Sequence, residues 1–101
     1  MTKLFSPIKI RDLEIKNRLW VSPMCMYSCE GQDGIVGQWH LVHLGSRAMG
    51  GAGMVIAEAS AVSPEGRISP WCPGLYADNQ IAPWKVITDF IREQGATSGI
   101  Q

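Results

Sequence analysis

The sequence predicts an α/β fold in which a short β-hairpin precedes an alternating β-α-β-α-β segment. Compact apolar runs within 18–22 and at 54–57 are too short for helices and are typical of strands covered on both faces. Two longer stretches, 38–49 and 78–94, have the spacing of apolar residues that is expected of helices. Strands that alternate with helices pair in parallel through right-handed crossovers, so a parallel sheet is expected.

The hairpin is predicted from two short segments on either side of Arg11-Asp12. Ile8–Ile10 and Leu13–Lys16 each alternate apolar and polar residues, which indicates two antiparallel strands with one buried face. A third strand is predicted at Arg18–Ser22. It must end there because Pro23 cannot donate a hydrogen bond to a neighbouring strand.

The first helix is predicted at Gln38–Met49 and ends at Gly50-Gly51. Its expected buried face consists of Trp39, Val42, Ser46 and Met49. The glycine-rich run Gly50–Gly53 follows a helix and precedes a strand, whereas loops that bind phosphate follow a strand and open a helix. We therefore interpret this run as a helix stop and a turn.

A long loop rich in proline and glycine, Ser60–Ala77, separates the strand at 54–57 from the second helix. Asp78 or Asn79 is the predicted N-cap of that helix. Pro83 must lie in its first turn, because a proline deeper in a helix is strongly destabilising. A further strand begins at Ser98–Gln101. The apolar face of the helix is expected to comprise Ile81, Trp84, Ile87 and Ile91.

Composition narrows the class of protein. The 101 residues fit one modest domain, and a hydrophobic content of 46% argues against disorder. Nine basic residues balance nine acidic ones, so neither a nucleic acid nor a membrane is expected as a partner. The apolar stretch at the start is too short for a signal peptide. An odd count of three cysteines then predicts reduced thiols in a cytoplasmic protein.

The segment after the strand at 18–22 carries a thiol and a phenol, Cys25 and Tyr27. Enzymes with α/β folds hold their reactive groups at the carboxyl ends of strands. In extended backbone these two side chains would face the same way, and the phenol could donate a hydrogen bond to a substrate carbonyl. The alternatives are a small buried Cys25 and a surface Tyr27, and the residues alone leave both interpretations open.

A metal site is not expected from the remaining cysteines and histidines. Cys25 and Cys29 lack the second close pair that zinc sites have, and Cys72 is distant in the sequence. His40 and His43 lie three residues apart on the first helix with no evident carboxylate or cysteine partner. We interpret both histidines as structural.

Three further polar residues lie where they could serve a site. Glu58 follows the strand at 54–57 and is interpreted either as a base or as an anchor for a neighbouring loop. Arg67 is expected to fix its own loop. Gln101 lies at the beginning of the next strand, and its amide offers both a donor and an acceptor.

Taken together, these residues resemble the N-terminal part of the Old Yellow Enzyme family of flavin-dependent ene-reductases. The similarity is closest to the bacterial subgroup that carries a cysteine beside the flavin. Several ordered motifs with consistent spacing are far more specific than any one of them. They are Leu4-Phe5-Ser6-Pro7-Ile8, Leu13-Glu14-Ile15-Lys16-Asn17-Arg18, Ser22-Pro23-Met24-Cys25-Met26-Tyr27, Glu58-Ala59-Ser60-Ala61-Val62, Pro64-Glu65-Gly66-Arg67-Ile68 and Gly99-Ile100-Gln101.

The resemblance implies a (β/α)₈ barrel, or TIM barrel, that binds FMN at its carboxyl mouth. Residues 1–17 would form a hairpin that caps the bottom of the barrel. Residues 18–101 would form the first two βα units and the start of the third strand. The chain is accordingly expected to be the N-terminal portion of one FMN-binding domain, with the barrel incomplete.

The resemblance also implies roles for individual residues. Cys25 would tune the redox behaviour of the flavin, and Tyr27 would contact the substrate. The residues implied to line the flavin are Ser22, Pro23, Met24, Cys25, Ala59 and Gln101.

The implied reaction transfers hydride from NADPH or NADH through FMN to the β-carbon of an α,β-unsaturated carbonyl compound, an enone or enal. The parent enzyme is expected to be a homo-oligomer. A complete barrel needs about 250 residues. The family's downstream histidine pair, proton-donating tyrosine and phosphate-binding basic residues have no counterpart here. We therefore expect this chain alone to lack ene-reductase activity and to bind FMN weakly or not at all.

Two other classes of protein are alternatives to a flavin oxidoreductase fragment. One is a non-catalytic partial-barrel module that functions only in association with a partner chain, because unpaired strand edges favour association. The other is a small thiol-redox protein. That class favours a Cys-x-x-Cys pair, which the sequence lacks.

Overall fold

The computed structural model describes residues 2–101, which form a hairpin, a three-stranded parallel sheet and two α-helices. Among these residues, no helix has both the length and the apolar character needed to cross a membrane. The strands are β1 Ile8–Ile10, β2 Leu13–Ile15, β3 Trp20–Val21, β4 Met54–Ala57 and β5 Thr97–Ile100. The helices are α1 Gln38–Met49 and α2 Ile81–Glu93, with short 3₁₀ turns at Lys3–Phe5, Pro64–Gly66 and Asp78–Gln80.

The parallel sheet has the order β3-β4-β5, with β4 in the centre. Val21 pairs with Val55, and Ala57 pairs with Ile100, so all three strands run in the same direction. The predicted β-α-β-α-β order is confirmed. Because the strands are parallel, the segments that follow β3, β4 and β5 emerge at one end of the sheet, which we call its carboxyl end.

Strand β3 is shorter than the predicted Arg18–Ser22, because Asn17 bonds at its start. The Asn17 side chain accepts a hydrogen bond from the Leu19 N–H at 3.0 Å and donates one to the Gly51 carbonyl at 2.8 Å. The Trp20 indole donates to the Asn17 carbonyl at 2.9 Å. These side-chain bonds precede the paired part of the strand, and regular pairing begins at Trp20 with Met54. Strand β5 begins one residue earlier than predicted, at Thr97.

The hairpin forms as predicted, but its apolar face is buried only at one end. Ile8 pairs with Ile15, which is fully buried. The pair Ile10 and Leu13, next to the turn, remains exposed. A two-stranded ribbon has no second layer over its tip, so the prediction of one buried face is correct for the Ile8–Ile15 pair alone.

The predicted buried face of α1 is wrong. Trp39, Val42 and Met49 are 57%, 66% and 66% exposed, and Ser46 is also exposed. The helix has apolar residues on two sides, and the side with small residues permits the closer approach to α2. A Cβ atom on Gly45 would lie only 2.8 Å from the ring of Phe90. The residues that α1 buries are His40, Leu44, Gly45 and Ala48.

The stop after α1 is confirmed, because the chain leaves the helix at Gly50 and Gly51 adopts a φ of +106°, which favours glycine. Helix α2 has Pro83 in its first turn, as predicted. The predicted cap at Asp78 or Asn79 is wrong: the side-chain oxygen of Gln80 accepts from the backbone N–H groups of Tyr76 and Ala77 instead.

The hydrophobic core lies between the parallel sheet and the two helices. Trp84, Ile87 and Ile91 of α2 are buried as predicted, whereas Ile81 is exposed. The three buried residues of α2 pack with residues from the central strand, from α1 and from the loops. The core cluster comprises Cys29, Val36, Leu44, Ala48, Ala52, Val55, Ala57, Trp84, Ile87, Ile91 and Ala96.

Truncation of Ile87 tests whether α2 provides the cover of the sheet. Ile87 is 2% exposed in the core, whereas its neighbour Val86 is 57% exposed. We expect Ile87→Ala to lower the free energy of unfolding by about 2–5 kcal/mol through lost burial and a residual cavity. The control Val86→Ala is expected to cost less than about 1 kcal/mol. Urea unfolding followed by circular dichroism measures both, and equal losses would contradict this packing.

Candidate functional site at the carboxyl end of the sheet

The segments that follow β4 and β5 are joined by backbone hydrogen bonds. The N–H of Gln101 donates to the carbonyl of Ala57 at 3.2 Å, and the N–H of Ser60 donates to the carbonyl of Gln101 at 3.0 Å. Ala59 lies within this connected stretch and is half-buried. The candidate residues after β4 and β5 are therefore held side by side.

The segment after β3 has no regular secondary structure from Ser22 to Cys29. Ser22 and Met24 are exposed, whereas Pro23 and Cys25 are half-buried. The side chains of Ser22, Cys25 and Gln101 have no hydrogen-bond partner among residues 2–101. Their hydroxyl, thiol and amide groups are therefore available to a ligand at the carboxyl end of the sheet.

Tyr27 is not in extended backbone, so the condition under which it would face the same way as Cys25 is not met. Its φ is +53°, in the left-handed region that is unfavourable for a bulky residue. The side chain is 51% exposed. A strained residue persists only where its surroundings hold it in place. The contacts of the preceding residue show how that is achieved.

Met26 is held at three atoms. Its backbone N–H donates to Oε2 of Glu58 at 3.2 Å, and its carbonyl accepts from the Ser28 hydroxyl at 2.9 Å. Its sulfur accepts from the indole N–H of Trp39 at 3.2 Å. The interpretation of Glu58 as a loop anchor is confirmed. The role of Trp39 was missed, because a helical pattern does not show that an exposed indole contacts a distant loop.

Glu58 belongs to a buried polar cluster with His40 and Cys29. Its Oε1 lies 3.7 Å from Nε2 of His40, and both side chains are 1% exposed. The same Nε2 lies 4.0 Å from Sγ of Cys29. Oε1 itself has no hydrogen-bond partner. The prediction that His40 lacks a carboxylate or cysteine partner is wrong, because the fold brings both partners to it from other segments.

The Glu58–His40 contact is not a charged ion pair. The N–H of Gly37 donates to Nδ1 of His40 at 3.1 Å, so in the neutral ring Nε2 carries the proton. Burial lowers the pKa of His40 and raises the pKa of Glu58. A charged pair would shift both values in the opposite directions. The neutral imidazole therefore carries its proton on Nε2, which lies 4.0 Å from Sγ of Cys29 and 3.7 Å from Oε1 of Glu58.

Cys29 is an inert member of this cluster. Two effects raise the pKa of its thiol to about 12: burial is the larger, and the nearby Glu58 is the second. It is also 1% exposed, so it stays protonated and out of reach of reagents. Among residues 2–101, no group of three or more histidine, cysteine or acidic side chains is placed to hold a metal ion.

The long loop after β4 is closed at both of its ends. The N–H of Ala61 donates to the carbonyl of Pro73 at 3.0 Å, and the N–H of Leu75 donates to the carbonyl of Ala61 at 2.9 Å. The expectation that Arg67 fixes this loop is confirmed. Its guanidinium donates to the carbonyls of Pro64, Gln32 and Pro70 at 3.0, 2.8 and 3.3 Å.

Cys72, although distant in the sequence, lies on a loop that reaches the Cys29 segment. The N–H of Cys29 donates to the carbonyl of Trp71 at 3.0 Å, and Cys72 is buried. The two loops therefore form one unit.

A parallel α/β sheet with uncommitted polar groups at its carboxyl end is the arrangement in which α/β enzymes place their ligand sites. The chain belongs to the NADH:flavin oxidoreductase / NADH oxidase family, whose model matches residues 3–101. The family resemblance stated from the sequence is confirmed. The family implies FMN as the cofactor, with NAD(P)H as the hydride donor.

The curated relatives are NADPH dehydrogenases. That of Listeria welshimeri is 50% identical over 101 residues, which is 100% of this chain and 30% of the relative. That of Bacillus subtilis is 46% identical over 99 residues, or 98% of this chain and 29% of the relative. The chain thus spans about 30% of the length of the curated relatives that it matches.

Solved structures agree with the predicted fold class. Morphinone reductase in complex with tetrahydroNAD has a TM-score of 0.88 and 29% identity, over 100% of this chain and 27% of that chain. The Old Yellow Enzyme homologue from Zymomonas mobilis has a TM-score of 0.89 and 30% identity, over 99% of this chain and 27% of that chain. The prediction of an incomplete (β/α)₈ barrel is confirmed.

The residues at the carboxyl end suit the ring system of FMN and not its phosphate. A flavin ring has an apolar face and a polar edge with donors and acceptors. Apolar contact is offered by Pro23, Met24 and Ala59, and hydrogen bonds by Ser22, Cys25 and Gln101. The segments 22–28 and 58–62 contain no lysine or arginine, the side chains that pair with a phosphate. The individual flavin-lining roles remain predictions.

The different exposure of the three thiols predicts different rates of alkylation. Cys25 is half-buried, whereas Cys29 and Cys72 are each 1% exposed. We expect iodoacetamide to modify Cys25 at least about tenfold faster than either of the others in the folded chain. Peptide mass spectrometry measures the three rates, and in denaturant all three should react alike. Labelling of Cys29 as fast as Cys25 would contradict the structure.

The lowered pKa of His40 predicts a pH-dependent contribution to stability. A group whose pKa falls on folding contributes stability that is complete above its ordinary pKa of 6.5 and is lost as the pH falls through the lowered value. We expect the wild type to be about 1–3 kcal/mol more stable than His40→Gln at neutral pH. The difference should narrow below pH 6.5.

Urea unfolding of both proteins over this pH range measures the effect. His43→Gln is the matched control, because His43 is only half-buried although its pKa is also lowered by burial. The difference in free energy of unfolding between His43→Gln and the wild type should narrow less as the pH falls. A His40→Gln difference that does not depend on pH would show that the neutral ring is not what the fold requires.

Proposed function

We propose that this chain supplies the first part of the FMN site of an NAD(P)H oxidoreductase that reduces the activated C=C bond of α,β-unsaturated carbonyl compounds. The observation that carries the proposal is the convergence of the segments after β3, β4 and β5 at one end of the sheet. Family membership supports FMN as the ligand of that end. The substrate class rests on the resemblance to ene-reductases.

Bound FMN would supply hydride transfer from NADPH or NADH to the β-carbon of the enone or enal. The chain's own residues bind and orient. Pro23, Met24 and Ala59 provide apolar contact and exclude water from the ring. Ser22 and Gln101 offer hydrogen bonds to its polar edge.

Cys25 and Tyr27 have the more specific proposed roles. A half-buried thiol next to the ring would tune the redox behaviour of the flavin through its S–H dipole. The exposed phenol of Tyr27 would donate a hydrogen bond to the substrate carbonyl. Both residues lie on the segment that Met26 anchors, so their relative placement is fixed by the fold.

The isolated chain is proposed to be inactive and to bind FMN weakly or not at all, because the segments 22–28 and 58–62 provide no cation for the phosphate. The hairpin of residues 1–17 is proposed to cap the bottom of the complete barrel. We further propose a cytoplasmic homo-oligomer with small-molecule substrates, and neither nucleic acid nor membrane as a partner. The cytoplasmic location rests on the three free cysteines.

A chimera tests the proposed function directly. Residues 1–101 of this chain replace the matching 101 residues of the Listeria welshimeri NADPH dehydrogenase, to which they are 50% identical. We expect the chimera to bind FMN stoichiometrically and to oxidise NADPH or NADH when 2-cyclohexenone is added. The unaltered Listeria protein is the control for folding and flavin content.

The outcomes separate the parts of the proposal. A folded chimera without flavin would overturn the cofactor assignment for these residues. A flavin-loaded chimera that oxidises NADPH with dioxygen but not with the enone would overturn the substrate class. Stoichiometric yellow flavin on the isolated chain would overturn the proposal that it cannot hold FMN alone.

Within the chimera, Tyr27→Phe tests the substrate contact. Loss of the hydroxyl is expected to raise KM for 2-cyclohexenone by about threefold to tenfold, the effect of one hydrogen bond, while flavin content stays unchanged. Tyr76→Phe is the matched control, because Tyr76 lies in the loop before α2. Equal effects of the two substitutions, or none, would contradict the role of Tyr27.

An unpaired sheet edge supports the alternative function, a partial-barrel module that acts in association with another chain. Among residues 2–101, β3 and β5 each pair with one neighbour only. A cavity of about 150 Å³ opens beside β5 and is lined mainly by Leu44, Leu75, Trp84, Ile87, Ile91 and Ile100. Sedimentation of the isolated chain as a defined dimer would favour this alternative, whereas a monomer would not.

A further inference from the structure

The loop that carries Cys25 and Tyr27 depends on a residue from another strand. Glu58 directly follows β4, the central strand of the sheet, and its side chain is buried. Through Oε2 it accepts the backbone N–H of Met26 at 3.2 Å. The adjacent Tyr27 has the left-handed φ of +53°.

We propose that Glu58 is a positioning residue whose carboxylate, by binding the Met26 N–H, holds the left-handed turn at Tyr27 and thereby places Cys25 and Tyr27 at the carboxyl end of the sheet. The value of that placement for catalysis rests on the proposed function. The placement itself does not rest on the proposed function, because the reactivity of the Cys25 thiol tests it without a cofactor or substrate.

The other two contacts of Met26 cannot fix the loop in the same way. Ser28 is only two residues away and moves with the loop. Trp39 is 57% exposed, and its indole reaches a flexible thioether side chain and not the backbone. Glu58 is therefore the contact that joins the backbone of the loop to the rigid centre of the sheet.

The second oxygen of Glu58 supports a role beyond packing. Oε1 is buried without a hydrogen-bond partner, and Nε2 of His40 stays 3.7 Å away. A buried polar atom without a partner is destabilising, and an apolar side chain of the same volume avoids that penalty. The contact of the other oxygen, Oε2, with the Met26 N–H explains why a carboxyl group lies at this position. His40 cannot turn away, because Gly37 binds its Nδ1.

The strained backbone at Tyr27 allows a second, independent test of the proposal. A left-handed tyrosine is unfavourable, so the loop relaxes if its anchor is removed. Glycine has no such preference against positive φ. In a Tyr27→Gly background, the turn therefore no longer depends on Glu58 to the same extent.

The test measures alkylation of Cys25 in the 101-residue chain and three of its variants. Glu58→Leu removes the acceptor, whereas Glu58→Gln keeps an oxygen that can accept from the Met26 N–H. Glu93→Leu, at the exposed end of α2, is the matched control. The pH–rate profile for iodoacetamide separates thiol ionisation, seen in its midpoint, from accessibility, seen in its plateau. Cys72 serves as an internal marker of global unfolding.

We expect Glu58→Leu to raise the plateau rate at Cys25 about tenfold, the effect of losing one hydrogen bond to a charged group. Cys72 should stay protected, and Glu58→Gln should restore most of the wild-type rate. A parallel rise at Cys25 and Cys72 would show a general loss of stability and overturn the proposal. An unchanged Cys25 rate in Glu58→Leu would overturn it as well.

If Glu58→Leu does not fold, the smaller substitution Glu58→Ala, which also removes the acceptor, is compared in the wild-type and Tyr27→Gly backgrounds. The proposal expects the effect of Glu58→Ala on the Cys25 rate to fall by at least half when residue 27 is glycine. Equal effects in the two backgrounds would overturn it. Neither measurement involves FMN or an enone, so this result and that of the chimera can fail separately.

Discussion

The parallel pairing of β4 with β3 on one side and β5 on the other is the constraint on which the structure depends. It directs the chain across two helical crossovers and brings three separate segments to one end of the sheet. Val55, at the centre of β4, has no exposed surface, and the core cluster is built around it. The position of the candidate site is therefore a consequence of strand direction.

Local sequence patterns predicted the order of the elements because each strand and helix has its own period of apolar residues. They failed at the buried face of α1, where two sides of the helix are apolar. A pattern treats His40 as polar, yet its Nδ1 accepts from the Gly37 N–H, and its Nε2 faces Cys29 and Glu58. Partners that lie far apart in the sequence are not visible to a local period.

The same distinction applies to the candidate site. The positions of Ser22 to Cys25, Ala59 and Gln101 at strand ends follow from the strand order alone, and the structure places those ends together. The turn at Tyr27 does not follow from any neighbouring residue. It depends on a contact between Met26 and Glu58, which are 32 positions apart. Only the folded sheet supplies that contact.

The closed loop after β4 has a consequence for how such a chain can diversify. Hydrogen bonds between Ala61 and the backbone at Pro73 and Leu75 join the two ends of the loop before it rejoins the fold. Changes in length between these ends need not be transmitted to β4 or α2, because loop closure costs rise only slowly with length. The loop thus offers a place, near the carboxyl end of the sheet, where length and sequence can vary while the strands stay unchanged.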